Sequence, residues 1–253
     1  MIMISFSQLK HHYDRRFLSA GDHGIVINMD DLPTDQATQA ARALAHAISK
    51  VIAQDNIQGI EDMIPGLTNL LVQYNPLVTS AAILIEKITP LLATLTYDEG
   101  AGRLIHIPCC YGGEFGPDLP EVATTLNMST DEVIKRHQSN ILDVAIMGFL
   151  PGLAYMKGVD QALYLPRRKT PRAHVPALSL GIAMDQTVVY PLPSPGGWNL
   201  IGRVPIALFD AQKSDPILLR SGDRVRFYRI DINEYNKISS DYKSGQFSVE
   251  ISA

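Results

Sequence analysis

Residues 165–205 read LPRRKTPRAHVPALSLGIAMDQTVVYPLPSPGGWNLIGRVP. Seven prolines and four glycines punctuate this stretch. Between them lie two β-type runs, 179–184 and 186–190. Such runs, separated by turn residues, predict short antiparallel strands joined by functional loops. Arg167, Arg168, Arg172 and Arg203 share the stretch with Gln186, Thr187, Ser194 and Trp198, the single tryptophan. Arginine forks match carboxylate and phosphate groups. Ser194-Pro195-Gly196-Gly197-Trp198 is a rigid turn, then backbone free of Cβ atoms, then a large aromatic wall. That order lets a ligand approach main chain closely. The same residues also fit a surface loop whose arginines pair with nearby acids.

Outward from this stretch, residues 103–110 predict a strand and 111–118 a glycine-rich turn. The turn is no phosphate loop, because neither Gly-Lys-Ser/Thr nor G-x-G-x-x-G occurs in it. A helix is expected from residue 117 to 126, with Asp118 in its first turn, where negative charge is favoured. Ser129 and Glu132 form a capping-box pattern that opens a second helix, ending near His137. His137 has two readings: a proton-transfer or anion-binding group facing a cleft, or a helix-terminal histidine favoured by the dipole. A strand over 141–147 follows, then the Pro151-Gly152 turn and Tyr155, which can present a hydroxyl. Beyond Pro205 come a short strand or turn at 207–210, a strand over 224–230, a helix over 231–243 and a closing strand over 246–251. DRVRFYRI alternates as a strand with one solvated face. Many short strands with long loops favour a small β-barrel for 101–253.

The N-terminal part reads differently. Residues 1–12 look like a tail. Two apolar pieces flank the turn Ala20-Gly21-Asp22, and residues 24–29 (GIVINM) form a β-type run. Residues 35–54 show helical spacing at Ala37, Ala41, Leu44, Ala45, Ile48 and Ile52, with Thr34 or Asp35 as N-cap. Strands are expected over 59–64 and 69–74, with a turn at Pro65-Gly66. A second helix over 81–95 contains Pro90, which can kink or divide it. The order β-α-β-β-α suggests an α+β unit of ferredoxin-like type for residues 1–100, ending at the polar break DEGAG, 98–102. His46 reads as a partly exposed helix histidine.

Bulk properties narrow the function. The net charge of −4 and the lack of a basic stripe argue against nucleic acid. No signal-peptide pattern and no long apolar run suggest a soluble, cytoplasmic chain. Cys109 and Cys110, the only cysteines, offer no disulfide framework and a poor metal site, so no metal is expected. There is no G-x-S-x-G elbow and no Walker A motif, so ATP chemistry would need another site or a partner.

The pattern PR…PR…VPA…S.GIA…QT..YP…SPGGW.LIGR resembles the signature of the KipI family, as do PCCYGGEFGPDL (108–119) and GFLPGLAY (148–155). The resemblance runs from about residue 15 onward. It implies a cyclophilin-like barrel for 101–253. It is also similar to one half of the carboxyltransferase domain of urea carboxylase. The family includes the B subunit of the ATP-dependent 5-oxoprolinase and members labelled allophanate hydrolase subunit 1. It implies ATP at the level of a complex, and a small amide substrate. The partners it implies are a KipA-like C subunit, together with a LamB/YcsF-like A subunit. The expected catalytic residues are His137 and Arg203. Expected substrate contacts are Arg172, Gln186, Thr187, Ser194, Gly196, Gly197, Trp198 and Tyr155. KipI itself implies an alternative, a regulator that inhibits a sensor histidine kinase; a component of a related allophanate or urea amide hydrolase is another, and prolyl isomerisation a third. Leu178 and Asp185 stand where glycine is common in the family, and Leu153 where phenylalanine is common.

Overall fold

The structure is a computed structural model that describes residues 2–3, 16–54, 57–97 and 102–252. The chain divides into two units, Met1–Ala101 and Gly102–Ala253. The break expected at 98–102 lies outside the described residues except for Gly102. No helix among the described residues is long and apolar enough to cross a membrane.

The first unit is α+β. Its strands are β1 (Ile2–Met3), β2 (Phe17–Ser19), β3 (Gly24–Asn28), β4 (Ile60–Pro65), β5 (Asn69–Tyr74) and β6 (Thr96–Tyr97). Helices α1 (Thr34–Ala53) and α2 (Ala81–Ala93) complete it. Four strands form an antiparallel sheet in the order β2-β3-β5-β4. Alternate residues Ile25, Ile27, Leu70 and Val72 bury against Leu44 and Ile48 of α1 and Leu84, Ile88 and Leu92 of α2. Three details differ from expectation. Ile2–Met3 pairs with Thr96–Tyr97 as a two-stranded sheet, so this part of the expected tail is strand; residues 4–15 lie outside the described residues. The N-cap of α1 is Pro33, which makes no side-chain cap, so neither Thr34 nor Asp35 serves. Pro90 sits inside α2 and the helix runs on to Ala93.

The second unit is mainly β. Its elements in chain order are β7 (Leu104–Tyr111), α3 (Leu119–Thr125), α4 (Thr130–Ser139), β8 (Leu142–Met147), β9 (Ala154–Lys157), β10 (Arg172–Val175), β11 (Ser179–Ala183), β12 (Gln186–Val189), β13 (Ser194–Gly196), β14 (Asn199–Arg203), β15 (Arg224–Ile230), α5 (Ile232–Lys243) and β16 (Glu250–Ser252). Strands pair in the order β14-β11-β12-β9-β8-β15-β7, and β7 returns to β14 through Gly202↔Tyr111 and Arg203↔Cys110. The seven strands therefore close into a barrel, which removes exposed edges. β16 lies on the first half of β7. β10 and β13 form a separate two-stranded ribbon.

Strand alternation sorts side chains between the barrel interior and its outer surface. Ile105, Ile107, Cys109, Leu180, Ile182, Val189, Val225 and Phe227 fill the interior. In β15 the intervening Arg226 and Tyr228 are exposed, as the alternation in DRVRFYRI predicts. Ser129 caps α4 through the Glu132 N–H at 3.1 Å, whereas the Glu132 carboxylate pairs with Arg136.

Candidate functional site

The hairpin β11–β12 decides where each expected site residue points. Gln186 and Thr187 are neighbours on β12, so they face opposite sides of the wall. Thr187 faces inward and is fully buried, its hydroxyl 2.8 Å from Nε2 of His137. Nδ1 of His137 lies 2.9 Å from the Tyr111 hydroxyl. His137 follows Val133 and Ile134 at helical spacing and shares their buried face. Burial lowers its pKa to about 3, so the ring is neutral at physiological pH. Burial also raises the Tyr111 hydroxyl pKa. His137 therefore does not face an open cleft. It sits inside the barrel with both nitrogens engaged.

The outer face of the same wall carries most of the other residues. Gln186, Val188 and Tyr190 alternate onto it. Tyr155 stands opposite Val188 in β9, and Gly181 opposite Val188 in β11. Leu153, Val175, Ala183, Val188, Tyr190, Trp198 and Leu200 form an apolar cluster on this face. Gly181 is needed beneath Trp198, because an added Cβ would meet the Trp198 Cβ at 2.9 Å. Trp198 packs near Tyr155, with ring centroids 5.9 Å apart, and is buried. The expected aromatic wall is thus part of a packed cluster. Gly196 has an equally specific reason. A Cβ there would fall on the Tyr190 hydroxyl, so the bare backbone makes room for a tyrosine of the same chain, not for a ligand. Gly197 accepts the Arg168 backbone N–H through its carbonyl at 2.7 Å. Burial, with the Tyr155 phenol nearby, pushes the Tyr190 hydroxyl up to about 12, although the Trp198 backbone and the charges of Arg167 and Arg172 act the other way.

Register places one polar row across the outer wall. Cys110 pairs with Arg203, Arg203 with Ser179, and the Tyr190 N–H donates to the Ser179 carbonyl at 3.0 Å. Side chains so aligned are neighbours. The Arg203 guanidinium lies 4.8 Å over the Phe115 ring. Its Nε is buried without a partner, and no ion pair or side-chain hydrogen bond engages the rest of it among the described residues. Arg203 is therefore a cation whose terminal nitrogens remain free to donate. The hydroxyls of Ser179 and Ser194, and Nη1 of Arg172, are also buried without partners. Such groups in a native fold call for an explanation.

Asp118 organises the ribbon. It is buried, and its carboxylate accepts Nη2 of Arg172 at 2.6 Å, Nη1 of Arg168 at 3.2 Å and the Leu200 N–H at 2.7 Å. Arg168 also reaches Glu121 at 2.9 Å. Two of the four arginines thus pair with acids of the same chain. Asp118 does not cap α3 with its side chain, although it occupies the N-cap position. Sequence reasoning missed Asp118, Ser179 and Tyr190 as site residues. For Ser179 a signal existed: Ser179, Gly181 and Ala183 put small residues at period two, which marks a face that another segment covers. Cys109 and Cys110 are free and buried, and burial raises both thiol pKa values. Among the described residues no cluster suits a metal ion.

A closed seven-stranded barrel with a ribbon bearing the SPGGW turn defines the class in which comparison places the chain. The model for the carboxyltransferase domain, subdomain C and D, matches residues 15–219, and the chain belongs to that family. The Bacillus subtilis protein named as the B subunit of 5-oxoprolinase is 37% identical over 85% of this chain and 93% of its own length. Its namesake in Escherichia coli O157:H7 is 41% identical over 82% of this chain and 92% of its own. The crystal structure of TTHA0988 superposes with a TM-score of 0.71 at 36% identity; the match covers 82% of this chain and 40% of that one. The urea carboxylase of Kluyveromyces lactis has the same fold, with a TM-score of 0.72 at 18% identity over 93% of this chain and 23% of that one.

Proposed function

We propose that this chain is the B subunit of an ATP-dependent 5-oxoprolinase. The complex adds water across the lactam C–N bond of 5-oxoproline to give glutamate, driven by ATP. The observation that carries the proposal is the 37% and 41% identity, over most of both chains, to proteins named as that B subunit. A KipA-like protein and a LamB/YcsF-like protein complete the enzyme, and the chain alone is inactive. It works in the cytoplasm and binds neither membrane nor nucleic acid.

In this scheme the barrel is cyclophilin-like. The first unit is a ferredoxin-like variant, in which β2 takes the edge beside β3 that a final strand would hold. Arg203 is the catalytic residue of this chain. Its free terminal nitrogens bind the substrate carboxylate or the oxyanion that develops on the lactam carbonyl. Nη1 of Arg172 and the Ser194 hydroxyl supply further donors once partner subunits seat the substrate. Gln186 recognises the amide. Tyr155 and Trp198, with Gly196 and Gly197, hold the ribbon against the wall. Thr187 and His137 act behind the wall as positioning residues. Two arginines matched to one carboxylate and one carbonyl suit a substrate that carries both.

The test is co-expression of the three subunits and measurement of ATP-dependent glutamate release from 5-oxoproline. Activity should require this chain. Arg203→Ala should lower kcat/KM by about 100-fold, the value of one charge-assisted hydrogen bond of about 3 kcal/mol. An assembled complex that releases no glutamate would overturn the function; full activity of R203A would overturn the site.

A further inference from the structure

A second polar cleft lies outside the row just described. It has a volume of about 360 Å³ and runs between the loop 165–170 and α3. Its floor is apolar, from Val122, Leu165 and Pro166, and its rim carries Arg167, Arg168 and Lys169. The three cations are not equivalent. Arg168 is fixed at both ends: its guanidinium holds Asp118 and Glu121, and its backbone N–H donates to Gly197 at 2.7 Å. Asn199 ties down the Pro166 carbonyl at 3.1 Å. Pro166 and Pro171 restrict the backbone around the loop. Arg167 and Lys169 flank this anchored residue, and both are exposed. Neither has an ion pair or side-chain hydrogen bond among the described residues. Arg167 does have a fixed seat, 5.2 Å over the Trp198 ring.

The charge count favours an anion. Arg167, Arg168, Lys169 and Arg172 face Asp118 and Glu121, an excess of two positive charges around the cleft and the groups bonded to it. Thr125 and Thr170 add hydroxyl donors. Two separated cations with hydroxyls suit a group with several charged oxygens, whereas one arginine fork already saturates a single carboxylate. The volume exceeds what inorganic phosphate needs and falls at the lower end of small-ligand pockets.

We infer that the cleft between loop 165–170 and α3 binds a phosphate-bearing small molecule, held by Arg167 and Lys169. The phosphate can belong to a nucleotide or to a simpler polyphosphate, and the test separates them. The full-length chain is titrated with inorganic phosphate, pyrophosphate, ATP and 5-oxoproline by calorimetry and by emission of Trp198, the only tryptophan. Because Arg167 stacks on that ring, a ligand that draws Arg167 away should change its emission. Pyrophosphate or ATP should bind, and the double variant Arg167→Ala, Lys169→Ala should weaken binding at least about tenfold with an unchanged melting temperature. ATP binding tighter than pyrophosphate assigns a nucleotide; equal affinities assign the phosphates alone. The inference fails if neither pyrophosphate nor ATP binds below about 1 mM. It also fails if the double variant binds them as well as the parent, or if 5-oxoproline is the only compound bound. The titration uses this chain alone, so its outcome is independent of 5-oxoprolinase activity.

Discussion

Acidification probes the buried His137 most directly. The ring is 1% exposed and its pKa is lowered by burial to about 3. In the unfolded chain the imidazole titrates near about 6.5. Between these two values the unfolded state binds more protons than the folded state, so stability falls as pH falls. The contribution is complete above the unfolded pKa and is lost progressively down to the folded one. Linkage gives a loss of about 0.8 kcal/mol near pH 6 and about 2 kcal/mol near pH 5, relative to alkaline solution. The assay is urea denaturation of the parent and of His137→Gln at about pH 7, 6 and 5. Glutamine keeps a donor and an acceptor but does not protonate. Whatever H137Q costs at neutral pH, its stability should fall by about 2 kcal/mol less than the parent's between the two ends of the series. Equal losses would refute the reasoning, because they would mean that the protonated ring keeps its place in the barrel.

Five further substitutions have outcomes that follow from the geometry. Asp118→Asn should destabilise the chain by about 2–3 kcal/mol in urea, since it leaves Arg172 and Arg168 without their buried counter-charge; the partial exposure of both arginines keeps the loss at the low end for a broken pair. Leu178 and Met184 both hold left-handed backbone, with φ of 65° and 54°. Met184→Gly should raise stability by about 0.5 kcal/mol, because relief of strain exceeds glycine's extra entropy. Leu178→Gly should lower it despite the same relief, because Leu178 packs against the barrel core; thermal melts of the pair decide the sign. Thr187→Val should cost about 1–3 kcal/mol by leaving His137 Nε2 without its partner, with substrate KM unchanged. Gln186→Ala should do the reverse, raising KM in the assembled enzyme with little change in melting temperature.

The strands were legible because period-two alternation is a local property. Residues 179–190 announced a hairpin, and β11 and β12 form one; in β15 the alternation even separated Arg226 on the exposed face from buried Val225 and Phe227. The burial of His137 was also within reach, since Val133, Ile134 and His137 fall on one helical face. Asp118 was not. Its partners Arg172 and Leu200 lie 54 and 82 residues away, and no local pattern announces a contact at that range. The family resemblance marked Leu178 as standing where glycine is common, and the backbone there is left-handed. At the hairpin turn the left-handed residue is Met184, one position before the Asp185 that the pattern marked.

The structure separates the expected site residues for a physical reason. Residue types that suit a ligand were gathered by closeness in sequence, and closeness along a strand sends neighbours to opposite faces. In a closed barrel those faces are the interior and the outer wall, so Gln186 and Thr187 point to different surroundings. Glycine raised a similar ambiguity. Bare backbone at Gly196 can admit a ligand or a side chain, and only the position of Tyr190 decides between them. What the wall leaves free is a narrower set. Arg203 is free at its terminal nitrogens and sealed at Nε, and Arg172 is spent on Asp118 at one nitrogen and unpartnered at another. Buried donors without partners cost about 1–3 kcal/mol each. Their persistence is the physical ground for the proposal that substrate binds beside Arg203.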